Sequence, residues 1–175
     1  MTVRDRAVVV LGLMGSGKST VASELARALD RPLRDSDTDL LREHGIDTAT
    51  LADRDGVDAL HRWEAEHLLA GVAERPAVVV AAAASTVEVP RCRAALADAF
   101  VLWLDAAPEV LAVRFGAGDY RPRFGSDPLE LLRRQDPVRR PLFAQVADVV
   151  LDASAPVEEV LARARAAVGV DPAGP

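Results

Sequence analysis

The stretch VVVLGLMGSGKS, residues Val8 to Ser19, decides the fold of this 175-residue chain. Its first four residues form an uninterrupted apolar run, typical of a strand that is covered on both faces of a parallel sheet. Gly12 to Ser19 then matches G-x-x-x-x-G-K-[ST], the phosphate-binding loop between such a strand and a helix. A helix is indicated from Ser19 to about Leu29, because apolar residues recur there at helical spacing. The stretch therefore predicts a strand, a phosphate loop and a helix in that order.

The chemistry of the loop follows from its residue types. Its glycines let backbone N–H groups turn inward toward phosphate oxygens, and the helix N-terminus adds a positive dipole end. Lys18, the only lysine among 21 basic residues, is expected to reach the β- and γ-phosphates, and Ser19 to hold Mg²⁺. The predicted ATP-binding residues of the loop are Gly12, Met14, Gly15, Ser16, Gly17, Lys18, Ser19 and Thr20.

Composition excludes several classes of protein. Against 21 basic side chains stand 27 acidic ones, a net charge of −6 that offers no field for nucleic acid or an anionic membrane. No apolar run approaches the roughly 18 residues of a membrane span. Cys92 is the only cysteine and cannot form an internal disulfide, which favours a cytoplasmic protein. We expect no nucleic-acid or membrane partner, and leave Cys92 open between packing and a reactive thiol.

Strands alternate with helices along the chain, as in an α/β fold. Strands are predicted at Val8–Leu11, Leu33–Ser36, Val78–Ala84, Phe100–Leu104 and Val149–Leu151. Further helices are predicted at Asp39–His44, Val57–Ala73, Pro108–Phe115, Leu129–Arg134, Leu142–Val146 and from Pro156 onward. We expect a three-layer P-loop NTPase fold with a central parallel five-stranded sheet. It forms one domain, residues 1–170, with a mobile lid at about 116–127 and a flexible tail at 171–175.

Two alternatives remain for the acid that completes the metal site. Asp105 follows a buried strand, the usual position of a Walker B acid. Asp35 and Asp37 follow the second strand, and in an extended segment residues i and i+2 share a face. Both carboxylates could then point toward the phosphates at the carboxyl edge of the sheet, where open α/β sheets bind ligands. The residues alone do not decide between the two.

A series of motifs along the chain resembles that of the shikimate kinase family. The members of this family are small P-loop kinases of the nucleoside-monophosphate-kinase fold. The motifs are the phosphate loop, Asp35-Ser36-Asp37, Gly45, Glu64, Trp103-Leu104-Asp105, Pro108-Glu109-Val110-Leu111, Arg121-Pro122, Arg139-Arg140-Pro141-Leu142-Phe143 and Val146-Ala147-Asp148.

That resemblance implies roles for individual residues. Asp35 would belong to the magnesium shell, which favours it over Asp105, and Asp37 would contact the acceptor hydroxyl as a base or orienting group. Arg121 would close with the lid onto the γ-phosphate, and Arg139 would clamp a carboxylate of the acceptor. The remaining pair, Arg114 and Pro156, would sandwich adenine.

The chain departs from the family pattern at the acceptor site. In an ungapped reading, the family's Phe-Arg pair falls on Leu60-His61, so a histidine replaces a second carboxylate-clamping arginine, while Arg62 would point about 100° away around a helix. The family's three glycines after the third strand become alanine within Ala81–Ala84, where a Cβ would intrude on the acceptor or force a different turn. His61 is still predicted to contact the acceptor.

Three functional hypotheses follow. The first is an ATP- and Mg²⁺-dependent kinase that phosphorylates a hydroxyl of a small polar metabolite, which can be anionic, with an altered acceptor site. The second is an authentic shikimate kinase that makes shikimate 3-phosphate. The third is a non-catalytic nucleotide-binding switch protein. For the kinases, the predicted catalytic residues are Lys18, Asp37 and Arg121, and we expect a monomer.

Overall fold

The centre of the structure is a parallel sheet of five strands. A computed structural model describes residues 3–116 and 127–170. The strands are β1 (Val8–Leu11), β2 (Leu33–Asp35), β3 (Val79–Ala81), β4 (Phe100–Asp105) and β5 (Val149–Asp152). They lie in the order β2-β3-β1-β4-β5, and every pairing is parallel. The predicted α/β class and five-stranded parallel sheet are confirmed.

Helices connect the strands. They are α1 (Lys18–Leu29), α2 (Ser36–His44), α3 (Thr48–Asp55), α4 (Val57–Ala73), α5 (Pro90–Leu96), α6 (Pro108–Gly116), α7 (Pro128–Val146) and α8 (Val157–Ala167). All four residues of β1 are fully buried, so helices cover both faces of the sheet and complete three layers. Within the described ranges, no helix combines the length and apolar character needed to cross a membrane.

The register of the sheet brings several strand ends to one edge. Val8 of β1 is level with Val79 of β3 and with Phe100 of β4. Because the strands are parallel, their carboxyl ends then lie side by side at a single edge. The segments after β1, β2 and β3 therefore meet there.

The structure differs from the predicted elements in several places. The sequence predicted two helical pieces around Pro137 and Pro141, but α7 runs through both prolines without a break. Two short helices, α3 and α5, were not predicted. The third strand, predicted as Val78–Ala84, ends at Ala81, and a 3₁₀ helix follows at Ala84–Glu88. The predicted lid and tail fall almost wholly on residues 117–126 and 171–175, which lie outside the described residues.

One glycine sets the distance between α4 and the sheet. Gly71 faces Val80 of β3, and a Cβ on Gly71 would lie 2.8 Å from Val80 Cγ2. Val80 is fully buried and β-branched, so its side chain cannot rotate away easily. The absence of a side chain at this position therefore allows α4 to pack closely on β3.

We expect Gly71→Ala to lower the free energy of unfolding. Overpacking of this kind costs about 1–3 kcal/mol, more than the roughly 1 kcal/mol that alanine gains in helix propensity. In a Val80→Ala background the same substitution should become neutral or stabilising, because the clash is gone and the propensity gain remains. Urea unfolding of the four proteins measures both effects. An equal loss in the two backgrounds would show that this contact is not its cause.

Candidate active site

A cavity of about 550 Å³ opens at the carboxyl edge of the sheet. The loop after β1, the junction of β2 and α2, one face of α4, the segment after β3 and the middle of α7 all contribute to its walls. Of the predicted site residues, it brings together Met14, Gly15, Gly17, Lys18, Ser19, Thr20, Asp35, Asp37, His61 and Arg139. The nucleotide and acceptor predictions thus converge on one cavity.

Two loop glycines pack directly against backbone. A Cβ on Gly12 would lie 2.7 Å from the carbonyl oxygen of Leu104, and one on Gly15 would lie 2.7 Å from that of Leu111. Gly15 also has φ +79°, in the left-handed region that favours glycine. The loop is therefore held against the end of β4 and against α6, and side chains at these positions would displace it.

Lys18 is the first residue of α1, so the end of the phosphate loop forms the first turn of that helix, at the positive end of its dipole. Its Nζ donates to the Leu13 carbonyl at 3.2 Å, so the side chain folds back over the loop. Burial lowers the pKa of Lys18, and the nearby carboxylates of Asp37 and Asp35 oppose this shift. An ammonium that has lost part of its hydration in this way interacts strongly with phosphate oxygens.

Asp35 and Asp37 both line the cavity, but not by the geometry that the sequence predicted. Asp35 ends β2 and caps α2, its carboxylate accepting a hydrogen bond from the backbone N–H of Thr38 at 3.2 Å. Asp37 therefore lies in the first helical turn rather than in an extended segment. The expectation of an i, i+2 strand face was wrong, although the two carboxylates still share the cavity.

The two acids differ in environment. Asp35 is buried, whereas Asp37 is open to the cavity. Partial loss of hydration raises the pKa of Asp37, Lys18 lowers it, and Asp35 adds to the rise. The helix that carries Asp37 is anchored from behind, because Asp39 accepts from Arg34 at 3.1 Å and lies 2.8 Å from Nε2 of the buried His67. The helix that carries Asp37 is thus held in place by the contacts of Asp39 with Arg34 and His67.

Ser19 and Asp35 supply hard oxygen donors, the ligand type that Mg²⁺ prefers. Within residues 3–116 and 127–170 there is no group of three or more His, Cys, Asp or Glu side chains arranged to hold a metal ion. A magnesium ion that takes its remaining ligands from phosphates and water needs only one or two protein oxygens. The residues present fit such an ion.

Asp105 has a different partner. Its carboxylate accepts from Arg140 at 2.9 Å, and Arg140 also pairs with Asp136 and lies 5.6 Å above the Trp103 ring. Asp105 does not line the cavity. Among the described residues the geometry therefore favours Asp35 over Asp105, the alternative that the sequence left open.

The far wall of the cavity contains the predicted acceptor residues. Arg139 is 7% exposed, and its Nε donates to Glu88 at 2.7 Å. His61 lies on α4, and its pKa is lowered first by burial and then by the positive charge of Arg139. Arg62, its neighbour, is exposed and lies outside the cavity. Two described guanidinium groups line the cavity: that of Arg139, which is already paired with Glu88, and that of Arg134, which is exposed on the same helix.

Sequence reasoning assigned no role to two other residues of this wall. Glu64 and Ser85 are both buried and line the cavity, and the Ser85 hydroxyl donates to Glu64 Oε2. The sequence did contain a signal for Glu64, because this acidic residue lies on the apolar face of the predicted helix. No signal marked Ser85 or Glu88, because the sequence predicted continued strand through Ala84 and left the next segment unassigned.

Four predicted residues within the described ranges do not line the cavity: Gly12, Ser16, Arg114 and Pro156. Arg114 donates to the carbonyl of Ala153 at 2.5 Å, beside the loop that leads to Pro156 at the start of α8. This places both members of the predicted adenine pair near each other, and their role remains a prediction. Arg121 lies outside the described residues.

Burial raises the pKa of the Cys92 thiol, which suits packing better than reactivity.

The parallel sheet, the phosphate loop and the acid-lined cavity define a P-loop kinase, an ATP-dependent phosphotransferase with a hydroxyl acceptor. The chain belongs to the shikimate kinase family, whose family model matches residues 14–168.

Relatives from three organisms illustrate the match. The chain is 34% identical to a shikimate kinase of Dechloromonas aromatica over 151 residues, which cover 85% of this chain and 82% of that protein. It is 36% identical to a shikimate kinase of Symbiobacterium thermophilum over 145 residues, covering 81% and 83%. The fold matches that of a shikimate kinase from Acinetobacter baumannii in complex with shikimate, with TM-score 0.80, 23% identity and coverage of 92% and 89%.

Substituting the two candidate metal acids should separate their roles. Asp35→Asn retains a good helix cap but removes the charge, so we expect affinity for a non-hydrolysable Mg·ATP analogue to fall about tenfold or more. Asp105→Asn should change it less than about twofold, because Asp105 pairs with Arg140 outside the cavity. Isothermal titration calorimetry measures both constants. A larger loss for Asp105→Asn would return that residue to the metal site.

Proposed function

We propose that this protein transfers the γ-phosphoryl group of Mg·ATP to a hydroxyl of a small polyhydroxylated metabolite, and that its acceptor site is altered from one built for a carboxylate. The observation that carries the second part is the ion pair between Arg139, which lines the acceptor wall, and Glu88, with 2.7 Å between Nε and Oε1. One end of the cavity would bind the nucleotide and the other end the acceptor.

The nucleotide end contains what phosphoryl transfer requires. Backbone N–H groups of the loop and the Lys18 ammonium would hold the β- and γ-phosphates, and Ser19 and Asp35 would hold Mg²⁺. The ion would neutralise charge on the bridging and terminal phosphate oxygens. Catalysis in this class consists mainly of positioning and charge neutralisation, so these groups need little motion of their own.

Asp37 is the group suited to meet the acceptor hydroxyl. It is open to the cavity and close enough to Lys18 for their charges to interact. Its carboxylate would accept the hydroxyl proton and orient the oxygen in line with the γ-phosphorus. As that oxygen bonds to phosphorus, the bond to the bridging oxygen of ADP breaks. We also propose that Arg121, outside the described residues, offsets the charge of the transferred group.

At the acceptor end, the buried cation already has a counter-ion, and the other arginine of the lining, Arg134, is exposed to solvent. Arg139 is paired with Glu88, and burial and Arg139 both lower the pKa of His61, which favours the neutral imidazole. Losing one charge-assisted contact to a carboxylate costs about 1.5–3 kcal/mol, or roughly one to two decades of affinity. These features support an acceptor whose binding depends on hydroxyl groups more than on a carboxylate.

Shikimate itself is the second candidate acceptor. Family membership and the two relatives at 34% and 36% identity favour it, and Arg139 still lines the cavity. The third hypothesis, a non-catalytic nucleotide switch, accounts less well for Asp37, since a nucleotide sensor has no need of an acid directed at a hydroxyl acceptor.

A panel of hydroxylated acids, sugars and nucleosides tests the proposal, with shikimate and its uncharged methyl ester as a matched pair. We expect ATP consumption with at least one compound, and a kcat/KM for the methyl ester equal to or above that for shikimate. The physical reason is that Arg139, the buried cation on the acceptor wall, is already paired with Glu88. A kcat/KM for shikimate tenfold or more above that of its ester would favour the second candidate. Absence of ATP consumption with every compound would favour the nucleotide switch.

Lys18 variants test the nucleotide end. We expect Lys18→Ala to lower kcat by about 10²–10³, because the γ-phosphate loses its charged partner. Lys18→Arg keeps the charge but places a planar guanidinium where a compact ammonium folds over the loop, so we expect it to remain strongly impaired. Coupled assays with the best compound of the panel measure kcat, and circular dichroism checks the fold. Near-normal turnover by Lys18→Arg would show that charge alone suffices.

A further inference from the structure

His67 lies between two helices that line the cavity. It belongs to α4, which supplies His61 to the cavity, and it contacts α2, which supplies Asp37. The His67 side chain is 5% exposed, and its Nε2 lies 2.8 Å from Oδ2 of Asp39. Neither His67 nor Asp39 is among the described residues that line the cavity. Their contact therefore joins the two helices from behind the site.

The carboxylate of Asp39 determines which ring nitrogen of His67 carries the proton. Asp39 accepts a hydrogen bond from Arg34 at 3.1 Å and also pairs with Arg42. A carboxylate only accepts hydrogen bonds, so Nε2 of His67 is the donor in its contact with Asp39. The other ring nitrogen, Nδ1, is buried and has no hydrogen-bond partner among the described residues.

The unpartnered Nδ1 indicates that the ring of His67 is neutral. An imidazolium has a proton on both nitrogens, and a second N–H here would be buried without an acceptor, which is costly. Burial lowers the pKa of His67, Arg34 lowers it further, and the carboxylates of Asp35, Glu43 and Asp37 oppose the shift. Both observations favour the neutral Nε2–H tautomer near neutral pH.

The contact bears on Asp37 because both acids belong to one short helix. Asp39 follows Asp37 by two positions, which is about 200° around the axis of α2. Asp37 therefore lies on the cavity side and Asp39 on the side toward His67. A shift of α2 relative to α4 would move the Asp37 carboxylate with respect to the acceptor wall.

We infer that His67 is a positioning residue for phosphoryl transfer. Its Nε2–H, donated to Asp39, holds α2 against α4 and thereby fixes the place of the Asp37 carboxylate beside the acceptor. The inference rests on the proposed function and deepens it, since it assigns the orientation of Asp37 to a contact outside the cavity. A displacement of about 1 Å at a reacting group can lower a rate by as much as 10²-fold.

NMR of the histidine rings in the ligand-free protein tests the hydrogen bond itself. The chain has three histidines, His44, His61 and His67, so ¹⁵N-labelled histidine gives few signals, and His67→Gln assigns one of them. We expect that signal to show the neutral Nε2–H tautomer at pH 6.5, where an ordinary histidine is about half protonated. A protonated ring or the Nδ1–H tautomer at this pH would overturn the inference.

Two substitutions of His67 test the consequence for catalysis. His67→Gln retains an N–H donor, whereas His67→Leu retains bulk without a donor. We expect His67→Leu to lower kcat about ten- to a hundredfold and to leave the KM for ATP within about twofold, because Asp37 and not the phosphate loop is displaced. His67→Gln should keep kcat within about threefold of wild type. Equal losses in the two variants would show that hydrogen-bond donation is not the cause.

The assay uses one acceptor for all variants. It is whichever of shikimate, its methyl ester, D-gluconate, D-glucose and adenosine gives the wild-type protein the highest kcat/KM. Circular dichroism checks the fold, and His67→Met, which also lacks a donor, replaces His67→Leu if that variant does not fold.

An Asp39→Ala background isolates the pair. In that background His67→Gln and His67→Leu should give the same kcat within about twofold, because no carboxylate remains to accept the hydrogen bond. A difference between them as large as in the wild-type background would show that His67 acts by another route, and would overturn the inference.

His44→Leu is the matched control. His44 also connects α2 to α4, since its ring centroid lies 4.5 Å from that of Trp63, but it ends α2, about 10 Å along the helix axis from Asp37. We expect His44→Leu to lower the free energy of unfolding in urea while kcat stays within about twofold of wild type. An equal loss of kcat in His44→Leu and His67→Leu would refute a specific role for His67.

The outcomes distinguish this inference from the proposed function. If one of the five compounds stimulates ATP consumption by the wild-type protein, but His67→Leu keeps the wild-type kcat, only the role of His67 is refuted. If none of them stimulates ATP consumption, the proposed function fails and the inference fails with it, even where the ring shows the expected tautomer.

Discussion

The hydrogen bonding of β1 to its two neighbours is the constraint on which the site depends. Phe100 N donates to Ala7 at 2.8 Å on one side, and on the other Ala82 N donates to Val10 at 3.1 Å. The phosphate loop and the segment after β3 therefore leave the sheet at the same level. The nucleotide and acceptor walls of the cavity face each other because β1 is hydrogen-bonded in this register to β3 and β4. No side-chain contact across the cavity is needed to align them. A slip by one residue would move every group of one wall relative to the other.

Charge is distributed unevenly across that gap. On the nucleotide side, Lys18 lies near three carboxylates, those of Asp37, Asp35 and Glu64, but its Nζ donates to the Leu13 carbonyl rather than to a carboxylate. On the acceptor side, Arg139 has a resident counter-ion in Glu88, whose side chain is 41% exposed. The first arrangement suits an anion that arrives from solution, whereas the second already contains one. The arrangement around Lys18 is compatible with the binding of ATP. The pairing of Arg139 with Glu88 is compatible with a change of the acceptor substrate.

Local signals in the sequence predicted the sheet, the loop and most of the cavity. The buried strands are uninterrupted apolar runs, and the loop motif lies between strand and helix, so neighbouring residues alone contain the information. Asp35 was harder to interpret, because a capping acid and a strand-end acid look alike until the helix start is known. Helix α7 was predicted in two pieces because proline usually ends a helix, yet packing overrides that preference here. The pairing of Arg139 with Glu88 joins residues 51 apart in sequence, and no local pattern reports such a contact.

The two prolines inside α7 have a mechanical consequence. A proline has no backbone N–H, so Pro137 and Pro141 withhold two donors from the carbonyls one turn earlier in the helix. Arg139 stands between them. The segment that carries this arginine is thus tethered to the rest of α7 by fewer main-chain bonds than an ordinary helical turn, and it can tilt at lower cost. A substrate that binds the Arg139 guanidinium therefore contacts the part of α7 from which two main-chain hydrogen bonds are missing.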